Sequence, residues 1–484
     1  MKTLFLVPVN SLQQNVVRDV LYGGWCSGKL IGGGTVPPLS LLSVATVARA
    51  AGLDIVFVDA LGEGISLEQT CERADGCDVV VVLTSFMTFA EDMKVLEALK
   101  QRRRDLRVVL FGALPTFLPE VCLAKDAVSV LVQREPEYAV RDLLLAWEKG
   151  SPWQEIPGLA FRENGNSRIN PPYPFIKSLD EIPWPDRTLL PPGVDYYNPL
   201  VKQYPYTTML TSRGCPSKCT YCTAPFFMGG RLRVCSAEPV IEDMTLAYRQ
   251  GYKTIYFRDE TFCAFKKRNI QICETLLSKG IRVRWIANAI AGELDHDYLA
   301  LMKRAGLYCI KFGVETGNEE ILKLVNKRTS LEKMREDFAL CRKLRISTHA
   351  HCMLGMPGET RETIEQTFRF IREIRPTTVT YSVCSPYPGT PLFDQVHERF
   401  PDVVDTTVDD LALQNLHISS RYNELFTSLS NEEIEAAVQE GYRRFYTRPG
   451  YILRSFLGIR SLREFLSLCR AGLQVLSYSV GGEK

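Results

Sequence analysis

The amino-acid sequence predicts an α/β protein: a doubly wound (Rossmann-like) N-terminal domain, a partial (β/α)6 TIM-type barrel, and a helical C-terminal region. Three observations predict this order. Residues 1–150 and 206–390 alternate short β-branched apolar runs with longer amphipathic segments. Residues 151–205 are rich in Pro, Asn and Gly, which is typical of a linker. Residues 391–484 have a mainly helical pattern.

The N-terminal domain is predicted from strands that are apolar on both faces, as in a parallel sheet covered by helices. The predicted strands are 3–9, 54–60, 78–85, 107–113 and 128–133. The predicted helices between and after them are 39–52, 66–75, 89–104 and 135–150. In a doubly wound sheet of such units, a ligand lies at the carboxyl ends of the strands.

The barrel is predicted from six further strands, each followed by a helical segment. These strands are 207–212, 254–259, 283–288, 308–315, 347–354 and 377–384. Six units make an open, partial barrel, whose chemistry gathers on the loops that follow the strands.

The C-terminal region is predicted to contain an amphipathic helix at 431–448, with Ser430 or Asn431 as its N-cap. The tail beyond it is apolar with interspersed arginines, namely Arg454, Arg460, Arg463 and Arg470. Such a segment either lies on a membrane surface as a basic amphipathic helix or packs onto the barrel.

Composition excludes several classes of protein. The net charge of the 484-residue chain is +2 and 45% of its residues are hydrophobic, so no strong field favours nucleic acid. No apolar run reaches the ~18–20 residues of a membrane span, and no N-terminal signal peptide is visible, so we expect a cytoplasmic protein. Without a secretory signal, the fifteen cysteines do not indicate a disulfide framework.

The stretch "TSRGCPSKCTYC" (211–222) places three cysteines, Cys215, Cys219 and Cys222, after the first barrel strand. A structural zinc site usually has four ligands and a disulfide has two. Thiolates also ligate iron–sulfur clusters, and three thiolates on a four-iron cubane leave one iron free. The alternative is a zinc site that a distant histidine completes.

The CxxxCxxC spacing resembles that of the radical S-adenosylmethionine (SAM) superfamily. The resemblance implies that the three cysteines bind a [4Fe-4S] cluster and that the amino and carboxylate groups of SAM chelate the free iron. It also implies cleavage of SAM to a 5′-deoxyadenosyl radical, with an electron from a donor such as flavodoxin or ferredoxin.

Further motifs stand at predicted strand ends in the order that this superfamily has them. They are "YFRDETF", "WIANA", "KFGVETG", "HCMLGMPGET" and "SPYPGTPL". The resemblance implies that SAM is contacted by residues of these motifs and by the aromatic residue before the third cysteine: Tyr221, Asp259, Glu260, Asn288, Glu315, Gly355 and Pro357. With Gly358, the glycine and proline of the fifth motif would let the backbone approach the cofactor closely.

The sequence marks the residues that would contact the substrate less specifically than those that would bind the cofactors. His349 and His351 lie on the same face of one predicted strand, and His351 either faces the cavity as a proton donor or acceptor or is a hydrogen-bonded structural histidine. Tyr381 is the second catalytic candidate. Further aromatic residues suggest an apolar cavity, namely Phe226, Phe227, Trp285 and Tyr387. Cys235, Cys263 and Cys384 are either reactive thiols or buried inert ones.

A doubly wound domain before such a barrel resembles the cobalamin-binding subclass, which includes the anaerobic magnesium-protoporphyrin ester cyclase and the hopanoid methylases. The resemblance implies cobalamin contacts on the loops after the strands: Thr84, Ser85, Gly112, Ala113, Leu114 and Arg134. The chain departs from the subclass at "QREPE" (133–137), where "G-E-G-E" is usual and Arg134 replaces a glycine. The first histidine is His296, so no N-terminal histidine can ligate cobalt. The alternative is a degenerate domain that only packs against the barrel.

This resemblance favours cobalamin-dependent methylation of an unactivated carbon in a small molecule, lipid or tetrapyrrole. One SAM would methylate cobalamin and a second would generate the radical. A cyclase, oxidase or ring-rearranging enzyme without methyl transfer uses the same parts. A methylthiotransferase is set aside because the N-terminal cysteines lack the required spacing and the C-terminal region is helical. A non-catalytic cluster or corrinoid carrier is disfavoured by the complete set of SAM motifs.

Overall fold

The computed structural model describes residues 1–10, 16–21, 23–26, 34–401 and 422–457, with residues 465, 469, 472 and 473. No helix in these ranges is long and apolar enough to cross a membrane. Of the arginines in the C-terminal tail, Arg460, Arg463 and Arg470 lie outside the described residues, and so does the side chain of Arg454.

The N-terminal domain is built on a seven-stranded sheet in the order β4-β1-β5-β6-β7-β8-β9. The strands of this half of the chain are β1 (Lys2–Val7), β2 (Val16–Val20), β3 (Gly23–Cys26), β4 (Asp54–Asp59), β5 (Val79–Thr84), β6 (Arg107–Gly112), β7 (Val130–Val132), β8 (Leu159–Glu163) and β9 (Asn166–Ile169). The first five strands of the sheet by sequence are parallel, in the doubly wound order 2-1-3-4-5. The predicted doubly wound fold is confirmed. Its topological switch point lies between β1 and β5.

Helices cover both faces of this sheet. They are α1 (Leu39–Ala50), α2 (Ala60–Glu63), α3 (Leu67–Arg73), α4 (Phe89–Arg102), α5 (Ala113–Phe117), α6 (Pro119–Leu123) and α7 (Glu137–Lys149). The central strands form because β-branched runs are buried on both sides: all six residues of β5, "VVVVLT", are buried. An apolar core lies on each face of the sheet and packs it against the helices.

The sheet continues past residue 150, at which the sequence analysis ends the domain. Strands β8 and β9 form an antiparallel hairpin that pairs with β7. Asn164 and Gly165 make its turn, both with positive φ, because an Asn-Gly pair fits the tight turns that join twisted strands.

The second domain is an open sheet of six parallel strands in sequential order, and the predicted partial barrel is confirmed. Its strands are β10 (Tyr206–Met209), β13 (Thr254–Phe257), β14 (Arg284–Ala289), β15 (Leu307–Glu315), β16 (Ser347–Leu354) and β17 (Thr378–Val383). A short hairpin of β11 (Ser212–Arg213) and β12 (Arg233–Val234) follows the first of them. The helices are α8 (Thr223–Phe227), α9 (Ala237–Arg249), α10 (Lys266–Ser278), α11 (His296–Arg304), α12 (Glu319–Leu324), α13 (Leu331–Lys343), α14 (Arg361–Ile374) and α15 (Pro391–Arg399).

Two further helices, α16 (Asn431–Tyr446) and α17 (Pro449–Leu457), belong to the C-terminal region. Ser430 is the N-cap of α16, and it forms a capping box with Glu433. The apolar side of α16 packs into the same core as α14 and the outer side of β17. This closes the outer wall of the barrel beside its last strand.

The inner face of the barrel is plugged at the amino-terminal ends of its strands. Leu200, Val201 and Tyr204 of the linker pack there against Tyr206 and Tyr256, together with Ile286, Tyr308 and Cys309. The Tyr308 hydroxyl donates a hydrogen bond to the Leu200 carbonyl (3.0 Å). The inner space therefore opens toward the carboxyl ends of the strands, where the cysteine motif lies.

Candidate active site

The three cysteines lie on the loop between β11 and α8, at the carboxyl end of the first barrel strand. Gly214, just before Cys215, has a φ of +93°. A Cβ at this position would lie 2.0 Å from the Arg231 carbonyl oxygen, so only glycine lets the two sides of the hairpin approach. The glycine of the motif thus shapes the turn that presents the first cysteine.

The loop is held by backbone contacts on two sides. The Thr220 N–H donates to the Val325 carbonyl (3.1 Å), and the Leu392 N–H donates to the Thr220 carbonyl (3.0 Å). The Asn326 side-chain amide donates to the Lys218 carbonyl (3.0 Å). The segment with the second and third cysteines is therefore fixed between the end of α12 and the start of α15.

Burial favours the neutral form of two of the three thiols, those of Cys219 and Cys222, in the absence of iron. Cys219 is 6% exposed, and Cys215 and Cys222 are half-buried. Burial raises the pKa of Cys219, and it raises the pKa of Cys222 to about 12. A metal deprotonates a thiol that ligates it. Among the described residues, no three ligating side chains, the three cysteines included, lie close enough together to hold a single metal ion.

Asp259 braces this loop instead of facing the open space. Its carboxylate, fully buried, accepts hydrogen bonds from the Thr211 N–H (3.1 Å), the Thr211 hydroxyl (2.7 Å) and the Ser212 hydroxyl (2.5 Å). Burial raises its pKa. This differs from the predicted contact of Asp259 with SAM, because donors of the chain already occupy the carboxylate. Glu260, the other acidic residue of the motif, is half-buried.

Asn288 lies on the inner face of β14, and its side-chain amide donates to the Asp259 carbonyl (2.6 Å). It thereby ties the ends of β13 and β14 together. Its predicted contact with ribose or substrate stays a prediction. Tyr221, likewise, packs half-buried against the cluster of apolar residues that includes Met356 and Cys384.

Glu315 and Lys327 form an ion pair beside the cysteine loop. The Lys327 ammonium lies 2.7 Å from Oε1 of Glu315, and both side chains are mostly buried. A Cβ on Gly313 would lie 2.3 Å from Glu315 Oε1 and 2.7 Å from Lys327 Nζ, so the pair folds across Gly313. The charge of Lys327 lowers the pKa of Cys219 against the effect of burial, which places it near the thiols. Glu315 belongs to a motif that the sequence shows, whereas Lys327 belongs to none of the motifs.

This pair fits the amino-acid end of SAM. A carboxylate can accept hydrogen bonds from an ammonium group, and a lysine ammonium can bind a carboxylate. Glu315 has a φ of +64°, an uncommon conformation for a residue other than glycine. Such strained residues often lie at functional sites.

Gly355, the first glycine of the "GMPGET" turn, lies against a distant part of the chain. The Asn423 amide donates to the carbonyls of Gly355 (2.7 Å) and Cys384 (2.6 Å), and a Cβ on Gly355 would lie 2.7 Å from that amide nitrogen. Gly358 is exposed and Pro357 is half-buried. The prediction that Gly355 lets the backbone approach the cofactor is therefore corrected, because the group that approaches it closely is the side chain of Asn423.

His351 lies on the inner face of β16, half-buried, with Nδ1 2.8 Å from the Thr380 hydroxyl. Its ring contacts that of His349, and burial lowers the pKa of His349 well below its ordinary value. A catalytic role for His351 stays a prediction. The predicted catalytic role of Tyr381 is corrected, because its side chain points outward into the core. It is 3% exposed and its ring packs against that of Phe368.

The other aromatic and cysteine candidates are also mostly core residues. Trp285 and Phe227 are at most 2% exposed within apolar clusters. Tyr387 stacks on Phe86 of the N-terminal domain, with ring centroids 6.0 Å apart. The three isolated cysteines are buried, and burial raises the pKa of each thiol: Cys235, Cys263 and Cys384.

The predicted cobalamin contacts lie at the strand ends, but several are already engaged by the chain. The Thr84 hydroxyl donates to Asp92 (2.7 Å), and Ser85 lies 3.2 Å from the Thr88 hydroxyl. A Cβ on Gly112 would lie 2.2 Å from the Thr84 carbonyl oxygen, so this glycine serves strand packing. Ala113 and Leu114 are buried in the core.

Arg134, which stands where the subclass usually has a glycine, has a positive φ of +60°. Its N–H donates to the Thr116 hydroxyl (2.9 Å). Its guanidinium donates to the carbonyls of Phe226 (3.1 Å) and Phe227 (2.8 Å), at the end of the helix that follows the cysteine loop. The departure at this position thus creates a direct contact between the two domains.

A buried network of charges joins the domains beside the same loop. Arg213, two residues before Cys215, donates to Glu135 (2.9 Å) and Glu137 (3.2 Å). Arg233 also donates to Glu135 (2.8 Å). Burial alone would raise the pKa of Glu135, but the charges of Arg213 and Arg233 outweigh it and lower that pKa. The "EPE" segment after β7 therefore anchors the cysteine hairpin.

Comparison with known proteins agrees with these two domains. The family model of the radical SAM superfamily matches residues 209–371, and that of the B12 binding domain matches residues 32–144. The first range includes the cysteine loop, the last residue of β10 and four further barrel strands in full, β13, β14, β15 and β16. The second spans most of the doubly wound sheet.

Relatives cover nearly the whole chain. An uncharacterized methyltransferase of Pyrococcus horikoshii is 28% identical over 88% of this chain and 91% of its own length. The anaerobic magnesium-protoporphyrin IX monomethyl ester cyclase of Rubrivivax gelatinosus is 25% identical over 93% of this chain and 81% of its own. Among solved structures, the radical SAM methyltransferase TsrM from Kitasatospora setae, with tryptophan and a SAM analogue bound, superimposes with a TM-score of 0.67. It is 17% identical, and the match covers 84% of this chain and 79% of that one.

Proposed function

We propose that this chain, a member of the cobalamin-binding radical SAM superfamily, methylates an unactivated carbon of a small molecule. The cofactors of the superfamily are a [4Fe-4S] cluster, SAM and cobalamin. The cluster and SAM supply a 5′-deoxyadenosyl radical when bound, and cobalamin supplies the methyl group. The protein's part is to bind these groups, orient the substrate between them and exclude water.

One observation carries this proposal: the carboxyl ends of both parallel sheets meet around the cysteine loop. From the N-terminal domain, Phe86 stacks on Tyr387. The ring of Phe117 lies so close to Gly389 that a Cβ there would be 2.3 Å away. Ligands of doubly wound sheets and of barrels both lie at the carboxyl ends of their strands. A substrate in this space would be reached from both cofactor domains.

The roles of the residues follow from their placement. The three cysteines hold the cluster, and Asp259 keeps the loop in position through Thr211 and Ser212. Glu315 and Lys327 bind the amino-acid end of SAM. Cobalamin would lie at the carboxyl ends of the doubly wound sheet, near the switch point between β1 and β5, where it would supply the methyl group. His351 is available within the barrel to accept or donate a proton.

The radical chemistry without methyl transfer is the second candidate. The similarity to the ester cyclase, which extends over 93% of this chain, favours it. The methyltransferase assignment is preferred because the Pyrococcus relative and the superimposed TsrM both carry that activity in their names. We also propose that the enzyme acts in the cytoplasm and takes its electron from a flavodoxin or ferredoxin, since a reduced donor is needed for SAM cleavage.

The experiment that distinguishes methyl transfer from the cyclase type of reaction uses protein reconstituted anaerobically with iron, sulfide and hydroxocobalamin. The holoenzyme is incubated with a reductant, methyl-labelled SAM and a panel of small-molecule substrates. Methyl transfer yields equal amounts of 5′-deoxyadenosine and S-adenosylhomocysteine, together with label in the product. A substrate that is consumed with 5′-deoxyadenosine but without S-adenosylhomocysteine would overturn methylation and favour the cyclase type of reaction. Protein that retains no cobalamin would contradict both the methyltransferase and the cyclase type of reaction.

Lys327→Met is expected to weaken SAM binding about tenfold or more while the cluster remains. A hydrogen bond to a charged group contributes ~1.5–3 kcal/mol, and the substitution also leaves Glu315 buried without its partner. The measurement is the anaerobic dissociation constant of SAM, with iron content as a check. Lys323→Met is the matched control, because Lys323 is exposed on α12 and pairs only with exposed Glu320. Unchanged SAM affinity in Lys327→Met would refute its role.

A further inference from the structure

The inner face of the barrel carries a polar layer between the aromatic plug below and the Glu315–Lys327 pair above. Asn288, Lys311 and His349 lie side by side in register on three neighbouring strands. His351 and Thr380 form the next row toward the carboxyl ends. We call these five residues the inner layer. Since the plug closes one end, whatever enters this space comes from the side of the cysteine loop.

Lys311 is the exceptional member of this layer. It is half-buried, and its ammonium lies 5.1 Å from the centre of the Tyr256 ring. Within the ranges that the structure describes, no carboxylate pairs with it. A partly buried ammonium group without a counter-charge is costly, and the face of one aromatic ring compensates only in part.

A second cation lies beside the same aromatic ring as Lys311. The guanidinium of Arg258 lies 4.9 Å from the same Tyr256 ring. His349 is kept neutral, because burial and the charge of Lys311 both lower its pKa. Two acidic side chains at nearby strand ends bind other partners: Asp259, after β13, with Thr211 and Ser212, and Glu315, at the end of β15, with Lys327.

We propose that the inner layer binds an anionic oxygen group of the substrate, a carboxylate or a phosphate, with Lys311 as its counter-ion. The proposal rests on the proposed function, which makes the inner space the substrate chamber. The Tyr256 ring and the plug beneath it offer an apolar surface for the part of the substrate next to the anion. The opposite end of the substrate then points toward the cysteine loop and the N-terminal domain.

The geometry also gives Lys311 and His351 different tasks. Lys311 is one row deeper than His351, which shares a register position with Gly313 under the Glu315–Lys327 pair. The anion would therefore be held away from the reacting carbon, and His351 would lie closer to it. Lys311 is in this sense a specificity-determining residue.

The test measures binding, so it does not depend on turnover. Holoenzyme with SAM is titrated calorimetrically under anaerobic conditions with phenylacetate, with phenyl phosphate and with neutral phenylacetamide. We expect at least one of the two anions to bind about tenfold more tightly than the amide, which corresponds to about 1.4 kcal/mol. The anion that binds more tightly identifies the preferred group. Lys311→Met should abolish this preference, and Lys311→Arg should keep most of it.

Lys343→Met is the matched control, since Lys343 is exposed on α13. Cluster content and circular dichroism establish that the variants are folded, and Lys311→Gln replaces Lys311→Met if the latter is not. Equal binding of all three probes to the wild type would overturn the proposal, as would a preference for anions that survives loss of the Lys311 charge. Failure of methyl transfer with a retained, Lys311-dependent preference would contradict the proposed reaction and leave this inference standing.

Discussion

Replacing Cys219 by alanine is expected to remove the iron–sulfur cluster and to abolish SAM cleavage. Cys219 is the middle cysteine of the motif and the most buried of the three, at 6% exposure. With two thiolates left, a four-iron cubane lacks the set of protein ligands that leaves one iron for SAM. The measurements are iron and sulfide content after anaerobic reconstitution, the electron paramagnetic resonance signal of the reduced protein, and 5′-deoxyadenosine formed.

Cys273→Ala is the control for this substitution. Cys273 is 1% exposed on α10 and belongs to the apolar core. Its loss should cost about 1 kcal/mol of folding free energy and leave the cluster intact. A cluster with the same iron content and the same signal in Cys219→Ala would show that the motif does not hold it.

The parts of the fold that the sequence predicts are those in which burial dictates the residue type. Strand β5, for example, begins with four consecutive valines because helices cover both of its faces. Strands β11 and β12 have two residues each, too few for any periodicity. The hairpin of β8 and β9 carried a usable signal, the Asn164–Gly165 turn, which the Pro-rich surroundings obscured.

The site is predictable where spacing within one segment encodes it. The three cysteines are of this kind. Tyr381 shows a signal that was available and not used: Thr378, Thr380 and Ser382 alternate with Val379, Tyr381 and Val383 along β17, and this period of two places the tyrosine on the apolar outer face. Lys327 had no such signal, because it meets Glu315 only after the chain has turned back through α12.

Asp259 and Gly355 illustrate a different limit. Both belong to motifs that mark the correct strand ends, but the motif does not reveal which neighbour each residue meets. The carboxylate of Asp259 bonds to the start of the cysteine hairpin, and Gly355 makes room for Asn423, which lies 68 residues further along the chain. Contacts between segments so distant in sequence depend on tertiary packing.

Arg213→Met is expected to destabilise the protein by about 3–5 kcal/mol and to weaken cluster retention. Arg213 is 7% exposed, and the substitution leaves the carboxylates of Glu135 and Glu137, both nearly fully buried, with fewer partners. Burying an uncompensated charge is far more costly than losing an exposed ion pair. Since Arg213 precedes Cys215 by two residues, the loosened hairpin also carries the first ligand.

Two measurements separate these effects. Chemical denaturation of the apoprotein reports the loss of stability, and the iron content and midpoint potential of reconstituted protein report the position of the hairpin. Arg335→Met is the control, because Arg335 forms ion pairs at the surface with Glu332 and Glu373. Its expected cost is within about 1 kcal/mol, with an unchanged cluster.

The double variant Arg213→Met, Glu137→Gln tests the cause, because Glu135 keeps Arg233 as its partner. If an unpaired buried carboxylate is the source of the instability, neutralising Glu137 should restore much of the lost folding free energy. The anchoring of the hairpin is not restored, so the cluster should stay weakly bound or shifted in potential. Recovery of stability and cluster together would mean that the network contributes only to folding. Recovery of stability alone would establish that the N-terminal domain positions the cysteine loop through Arg213.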